Sequence, residues 1–228
     1  MKKILSYFTL FEWLLWLGSV LAITLSFLLC GDFYPLTLIV SLLGVTALIF
    51  IAKGNVIGQF IIIVFSILYG IISWNFRYYG EMITYVFMSL PAAVFACVSW
   101  LKNPSKKGKS EVQVGTMSAT KWIIVSTIAV VVTVVFYFVL KHFETQNLLP
   151  STLSVTTSVF AAVLLYLRSP YYAVAYAAND VVLIVLWTLA SLQSLAYLPM
   201  VVCFVAFLCN DLYGFINWKR MQKRQNEE

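Results

Sequence analysis

The sequence predicts an all-α integral membrane protein of about eight transmembrane helices. The expected layout is two parallel three-helix bundles joined by a linker helix, plus one extra N-terminal helix. Three observations carry this reading. First, 62% of the 228 residues are hydrophobic and only 11% are charged, with a mean hydropathy of +0.92. Soluble domains carry about 25% charged residues, and a chain of this size has no core large enough to bury so much apolar surface away from water. Second, the apolar residues fall in runs of about 20, the length that crosses a bilayer as a helix. Stretches such as FIIIVFSILYGII (60–72) lack the alternation of a barrel strand. Third, lysine and arginine are sorted between the loops.

The spans fall at roughly 10–29, 34–52, 55–75, 81–101, 120–140, 150–168, 170–190 and 196–217. The first follows MKK, as a signal peptide would. It contains Glu12, Trp13 and Trp16 and lacks a small-residue cleavage site, so it reads as an uncleaved span. Lys2, Lys3, Lys53, Lys102, Lys106, Lys107, Lys109, Lys121, Arg168, Lys219, Arg220, Lys223 and Arg224 fall on one side. They are 13 of the 15 basic residues; only Arg77 and Lys141 fall on the other. The positive-inside rule places the richer side in the cytoplasm, with both termini, at the plasma membrane. An even number of spans is then required, which agrees with hydropathy. The net charge of +6 is therefore a topology signal, and nucleic acid is not an expected partner. The expected partners are the lipid bilayer and a small-molecule substrate; a homo-oligomer is left open.

Residues 1–30 form the extra N-terminal helix, 34–103 the first bundle, 104–119 a cytoplasmic linker, 120–141 the connecting helix, 150–218 the second bundle and 219–228 a cytoplasmic tail. The polar stretch KNPSKKGKSEVQVGTMSATK (102–121) reads as flexible. The bundles show an internal repeat. Pro35 and Pro150 open spans, Lys53 and Arg168 close them, and SWLKN (99–103) and NWKRM (217–221) end the third helices. These anchors lie 115, 115 and 118 positions apart. Three helices plus one connector give both units the same orientation, a parallel repeat with a substrate site expected at its interface.

Polar residues inside spans are the candidates for that site. Asp180 lies near the centre of the seventh span, where a charge costs roughly 2.5–3.5 kcal/mol on insertion scales. Asn179 is beside it, and Leu183 and Trp187 continue its face at helical spacing. The alternative is a structural hydrogen bond to a neighbouring helix. In the last span Asn210, Tyr213 and Asn217 share a face, with Asp211 one step round. In the third span Gln59, Ser66, Tyr69 and Ser73 form a polar stripe, of which Gln59 and Tyr69 are the informative members. Pro91 is expected to kink the fourth span. Glu12 and Glu81 are weaker, interfacial candidates. The four cysteines contain no C-x-x-C and the lone His142 is peripheral, so no metal, cofactor or catalytic function is expected. The lining lacks a basic cluster for a phosphate ester and a run of acids for a cation pore. A neutral or weakly cationic molecule with a flat ring suits it best.

KGNVIGQ (53–59), YGEM (79–82), SLPAAVFACVSWLKN (89–103), YAANDVVLIVLW (176–187) and NDLYGFINW (210–218) resemble the nicotinamide riboside transporter family, PnuC. The likeness covers nearly the whole chain, and the two C-terminal blocks are its most specific part. It implies a SWEET-like three-plus-one-plus-three fold and facilitated diffusion of nicotinamide riboside, trapped inside by phosphorylation. On this reading Trp187 or Tyr69 stacks on the cationic ring. Asn179, Asn210 and Gln59 bond the ribose or carboxamide, and Asp180 answers the charge. Members often carry Asn where Thr84 stands, Gln where Ala93 stands, and sometimes Asn in place of Asp180. Related subgroups are held to carry thiamine, riboflavin or deoxynucleosides, and a proton-coupled carrier using Asp180 or Asp211 is a further alternative.

Overall fold

The structure, a computed structural model, describes residues 7–30, 35–75, 79–105, 110–145 and 147–227, without the side chains of 75 and 79–81. Lys2, Lys3, Lys106, Lys107, Lys109, Arg77 and the Glu81 carboxylate thus lie outside the described residues. The helices are α1 (Leu10–Leu29), α2 (Pro35–Ala52), α3 (Ile57–Asn75), α4 (Tyr79–Thr84), α5 (Leu90–Lys102), α6 (Ala119–His142), α7 (Leu148–Tyr166), α8 (Tyr172–Ser191) and α9 (Leu198–Asn226). A π-helical turn, Tyr85–Ser89, joins α4 to α5. With those three segments taken as one, eight helices among the described residues are long and apolar enough to cross a membrane.

The π turn has a local cause. Pro91 has no N–H to give to the carbonyl four residues back, and its ring crowds that turn. The backbone widens, and Leu90 N–H bonds the Tyr85 carbonyl five residues back. The distortion expected at Pro91 takes this form.

Packing follows the order α2–α3–α5 in the first half and α7–α8–α9 in the second. Helix α9 also packs on α2, α5 on α7, and α6 on α7; α1 lies against α2 and α9. The first and last described residues, Tyr7 and Glu227, lie at one face, with the 53–56 turn, residues 103–105 and 110–118, and the 167–171 turn. We call this the terminal face. Helix α9, at 29 residues about 44 Å long, exceeds the roughly 30 Å hydrocarbon layer and carries its basic end out at that face.

The turns after α2 and α7 are built alike. Each helix ends on a left-handed residue, Gly54 (φ 66°) or Arg168 (φ 58°). Gly54 N–H bonds Ile51 O at 2.8 Å and Asn55 N–H bonds Phe50 O at 3.0 Å; Arg168 and Ser169 repeat this on Leu165 and Leu164. Asn55 and Ser169 side chains then receive the backbone N–H two residues on. Equivalent positions here are 114 apart.

The segment expected to be flexible is instead docked where it is described. Val112 N–H bonds Gly54 O and Gly115 N–H bonds Arg168 O, each at 2.9 Å. The linker thus ties the two equivalent turns together. Gln225 clasps it from α9, through Val114 N–H at 2.8 Å and Val112 O at 3.1 Å, and Arg224 pairs with Glu111. Val112 and Val114 are buried in the main core with Trp100, Trp218 and Tyr172. Their alternation within EVQVG is the strand signal that the Gly, Ser and Lys content concealed.

Candidate functional site

Asp180 is 3% exposed and Asp211 4%, on adjacent helices α8 and α9. The two carboxyl groups are neighbours across the α8–α9 contact. Tyr172 and Tyr176 lie on the same helix, and Tyr172 is 1% exposed. Tyr172, Tyr176 and Asp180 stand four residues apart, so one stripe of α8 presents two phenols and a carboxyl. That spacing was in the sequence and is the signal that adds the tyrosines to the site. Asp211 sits one step off the expected face of α9, yet it is the residue that meets Asp180.

One oxygen of Asp180, Oδ2, is buried and has no hydrogen-bond partner in the protein. Gln59 is 0% exposed, and neither its amide oxygen nor its nitrogen has one. The same holds for Ser66 Oγ and Ser73 Oγ on the same stripe of α3, and for Asn210 Oδ1 on α9. An unsatisfied buried polar group is costly, about 1–3 kcal/mol, so groups like these gather where a polar molecule is handled.

The other expected residues are placed as follows. Tyr69 is buried and stacks on Tyr85 at 4.1 Å between ring centroids, with Phe65 5.7 Å away, so α3 and the π turn form an aromatic cluster. Asn179 accepts a hydrogen bond from Thr157 Oγ1 of α7 at 2.9 Å. Trp187 packs on Tyr197 at 5.8 Å and against the α1–α9 cluster of Ile23, Phe27 and Phe204. Asn210 donates to Ser19 Oγ of α1 at 3.2 Å and to Ala206 O at 2.8 Å.

Tyr213 is brought to a different centre, at the terminal face. Its hydroxyl donates to Glu12 Oε1 at 2.6 Å. Glu12 is 1% exposed and pairs with Lys53 Nζ at 2.9 Å; its other oxygen accepts Thr9 N–H at 2.6 Å in a capping box. Lys53 also lies over the Tyr7 ring, 4.8 Å from its centroid. Glu12 is therefore no exposed interfacial acid; it fastens α1 to α2 and α9. A cavity of about 440 Å³ opens beside it, lined by Thr9, Glu12, Lys53, Tyr213, Asn217 and Arg220 among others.

Two groups of three membrane helices in the same orientation, with partnerless buried polar atoms in both, define a membrane carrier built on an internal repeat. The sequence profile described as "Nicotinamide mononucleotide transporter" matches residues 34–220. The chain belongs to that family of membrane transporters and is not an enzyme. It is 26% identical over 215 residues to the nicotinamide riboside transporter PnuC of Neisseria mucosa, covering 92% of this chain and 74% of that one. It is 24% identical over 192 residues to the Haemophilus influenzae protein of the same name, covering 84% and 82%. A crystal structure of the vitamin B3 transporter PnuC superposes with a TM-score of 0.80 at 25% identity, over 96% of this chain and 94% of that one. The match extends to the fold: eight apolar helices in a multi-pass membrane protein.

Proposed function

We propose that the chain carries nicotinamide riboside across the plasma membrane, down its gradient, through a site between the two bundles. The terminal face is cytoplasmic on this reading, because among the described residues it holds Lys53, Lys102, Lys121, Arg168, Lys219, Arg220, Lys223 and Arg224, and the other face Lys141. A kinase there would trap the nucleoside by phosphorylation. The units are 34–103 and 150–218, with 1–30 added in front, 104–119 and 120–141 between them, and 219–228 as the tail.

The observation that carries the reading is the set of buried polar atoms without partners: both amide atoms of Gln59 in one half, and Asp180 Oδ2 in the other. Asp180 answers the positive charge of the nicotinamide ring, Gln59 bonds hydroxyl or carboxamide groups, and Tyr69 or Trp187 supplies a ring face. Asn179 and Asn210 add amide groups on α8 and α9, while Tyr213 serves the Glu12 centre.

The family's profile speaks of the mononucleotide and the relatives' names of the riboside. The residues favour the riboside. Every lysine and arginine of the chain lies at a span end or in a loop, so no cation stands at mid-depth to offset a buried phosphate dianion.

The test is tryptophan quenching of purified protein by nicotinamide riboside, nicotinamide mononucleotide, thiamine and deoxyadenosine, with Asp180→Asn alongside. Quenching by the riboside alone, weakened at least tenfold in Asp180→Asn, is the expected result. Selective binding of another solute would move the chain to another substrate.

A second reading, proton-coupled transport, draws on the Asp180–Asp211 contact. Two carboxyl groups can hydrogen-bond to each other only with a proton on one of them. Uptake abolished by a protonophore under an unchanged substrate gradient would favour it.

A further inference from the structure

At the terminal face the two halves hold each other through reciprocal hydrogen bonds. Ser99 Oγ and Trp100 Nε1 of α5 donate to Tyr166 O (2.8 Å) and Leu165 O (3.2 Å) at the end of α7. Asn217 Nδ2 and Trp218 Nε1 of α9 donate to Ala52 O and Ile51 O at the end of α2, both at 2.8 Å. The donors are 118 positions apart and the acceptors 114, so one set is the repeat image of the other. Each half's last helix caps the final turn of the other half's first helix, where carbonyls lack intrahelical partners. The two indoles meet at 5.4 Å between centroids, and Trp218 is 0% exposed.

These tryptophans stand in line with the Asp180–Asp211 pair. Asp180, Tyr176 and Tyr172 follow one another a turn apart on α8. Tyr172 lies 6.2 Å from Tyr176, and the Trp218 ring lies 5.0 Å from Tyr172. Val112 and Val114 of the linker belong to the same buried cluster as the indoles. This column of rings lies between the acidic pair and the terminal face.

We propose that the four reciprocal bonds are the gate of the terminal face, breaking and re-forming as one event. The repeat symmetry makes them a unit, since separating the halves lengthens both sets equally. Hydrogen bonds suit the task because they are directional and fail over a short displacement, which gives two discrete arrangements. The gate concerns the carrier reading above and rests on it; calling it cytoplasmic rests in addition on the charge-based orientation.

The test uses the full chain with its four cysteines changed to alanine and Ala173→Cys introduced. Ala173 is 0% exposed and belongs to the same buried core as Trp100 and Trp218. The protein is reconstituted in vesicles and labelled with a charged, impermeant maleimide, with Glu227→Cys in a parallel sample marking the terminal face. Trp100→Phe/Trp218→Phe keeps an aromatic ring at each position and removes the N–H donors; Ser99→Ala/Asn217→Ala removes the other two and leaves both indoles in place. The expected result is labelling at least tenfold faster from the terminal face in either double variant. Labelling unchanged in both, in protein that still elutes as one species, would overturn the gate and make these bonds a fixed pivot. Faster labelling only from the opposite face would overturn it as well. Faster labelling from the terminal face with the Glu227→Cys marker found outside cells supports the gate and overturns only the orientation. Failure of nicotinamide riboside to quench wild-type fluorescence, with labelling behaving as expected, would remove the substrate and leave the gate.

Discussion

Lys53 and Glu12 form an ion pair at 2.9 Å across 41 positions of sequence, with the carboxylate almost wholly shielded from solvent. The first helix is thereby fastened to the repeat unit behind it. Removing one partner of a buried pair costs about 3–5 kcal/mol, because the other is left uncompensated. Lys53 retains some exposure and its Tyr7 contact, so Glu12→Ala should fall near the lower end, at about 3 kcal/mol. The check is a melting temperature in detergent, where a loss within 1 °C would show that the pair contributes nothing to stability.

Gln59→Leu should have effects of opposite sign. It removes an amide with no partner in the protein, which stabilises by about 1–3 kcal/mol. It should also weaken substrate binding by about tenfold or more, since a site group is lost. Thermal unfolding and quenching titrations on one preparation decide this. A rise in melting temperature with unchanged affinity would remove Gln59 from the site.

Arg168→Gly should stabilise the protein by about 1 kcal/mol, the cost of holding a residue with a Cβ in the left-handed region. The equivalent turn already uses Gly54 there. Two buried guanidinium nitrogens without partners disappear as well. A fall in melting temperature would mean that the arginine has a role this geometry does not account for.

Pro91→Ala restores an N–H that can bond the Phe87 carbonyl, so the π turn should close into ordinary α-helix. Closure rotates Tyr85 by about 100° and takes it off Tyr69. Amide hydrogen exchange over 85–90 should slow, and substrate affinity should fall several-fold. Unchanged exchange would show that the wide turn is set by packing rather than by the proline.

The spans and the proline distortion were legible because each is set locally. About 20 apolar residues and a missing N–H each act within a single helix. Partner choice across helices was not. Tyr213 looked like a mid-depth residue beside Asn210, and only the placement of α1 shows it serving Glu12. Asp211 was one step off the favoured face, yet the crossing of α8 and α9 turns it toward Asp180. The docked linker escaped because two valines, two apart, are a weak signal inside a polar stretch.

From Gly54 to Trp100 is 46 positions, and from Arg168 to Trp218 is 50. The excess is about one helical turn, and it is absorbed away from the terminal face, where one half has a π turn and the other a short 3-10 segment, Leu195–Tyr197. The duplicated halves have thus stayed alike where each must fit the other and have drifted where neither is read by its twin. Change at the face opposite the seam leaves the seam's fit untouched, so a duplicated scaffold of this kind tolerates differently shaped mouths there.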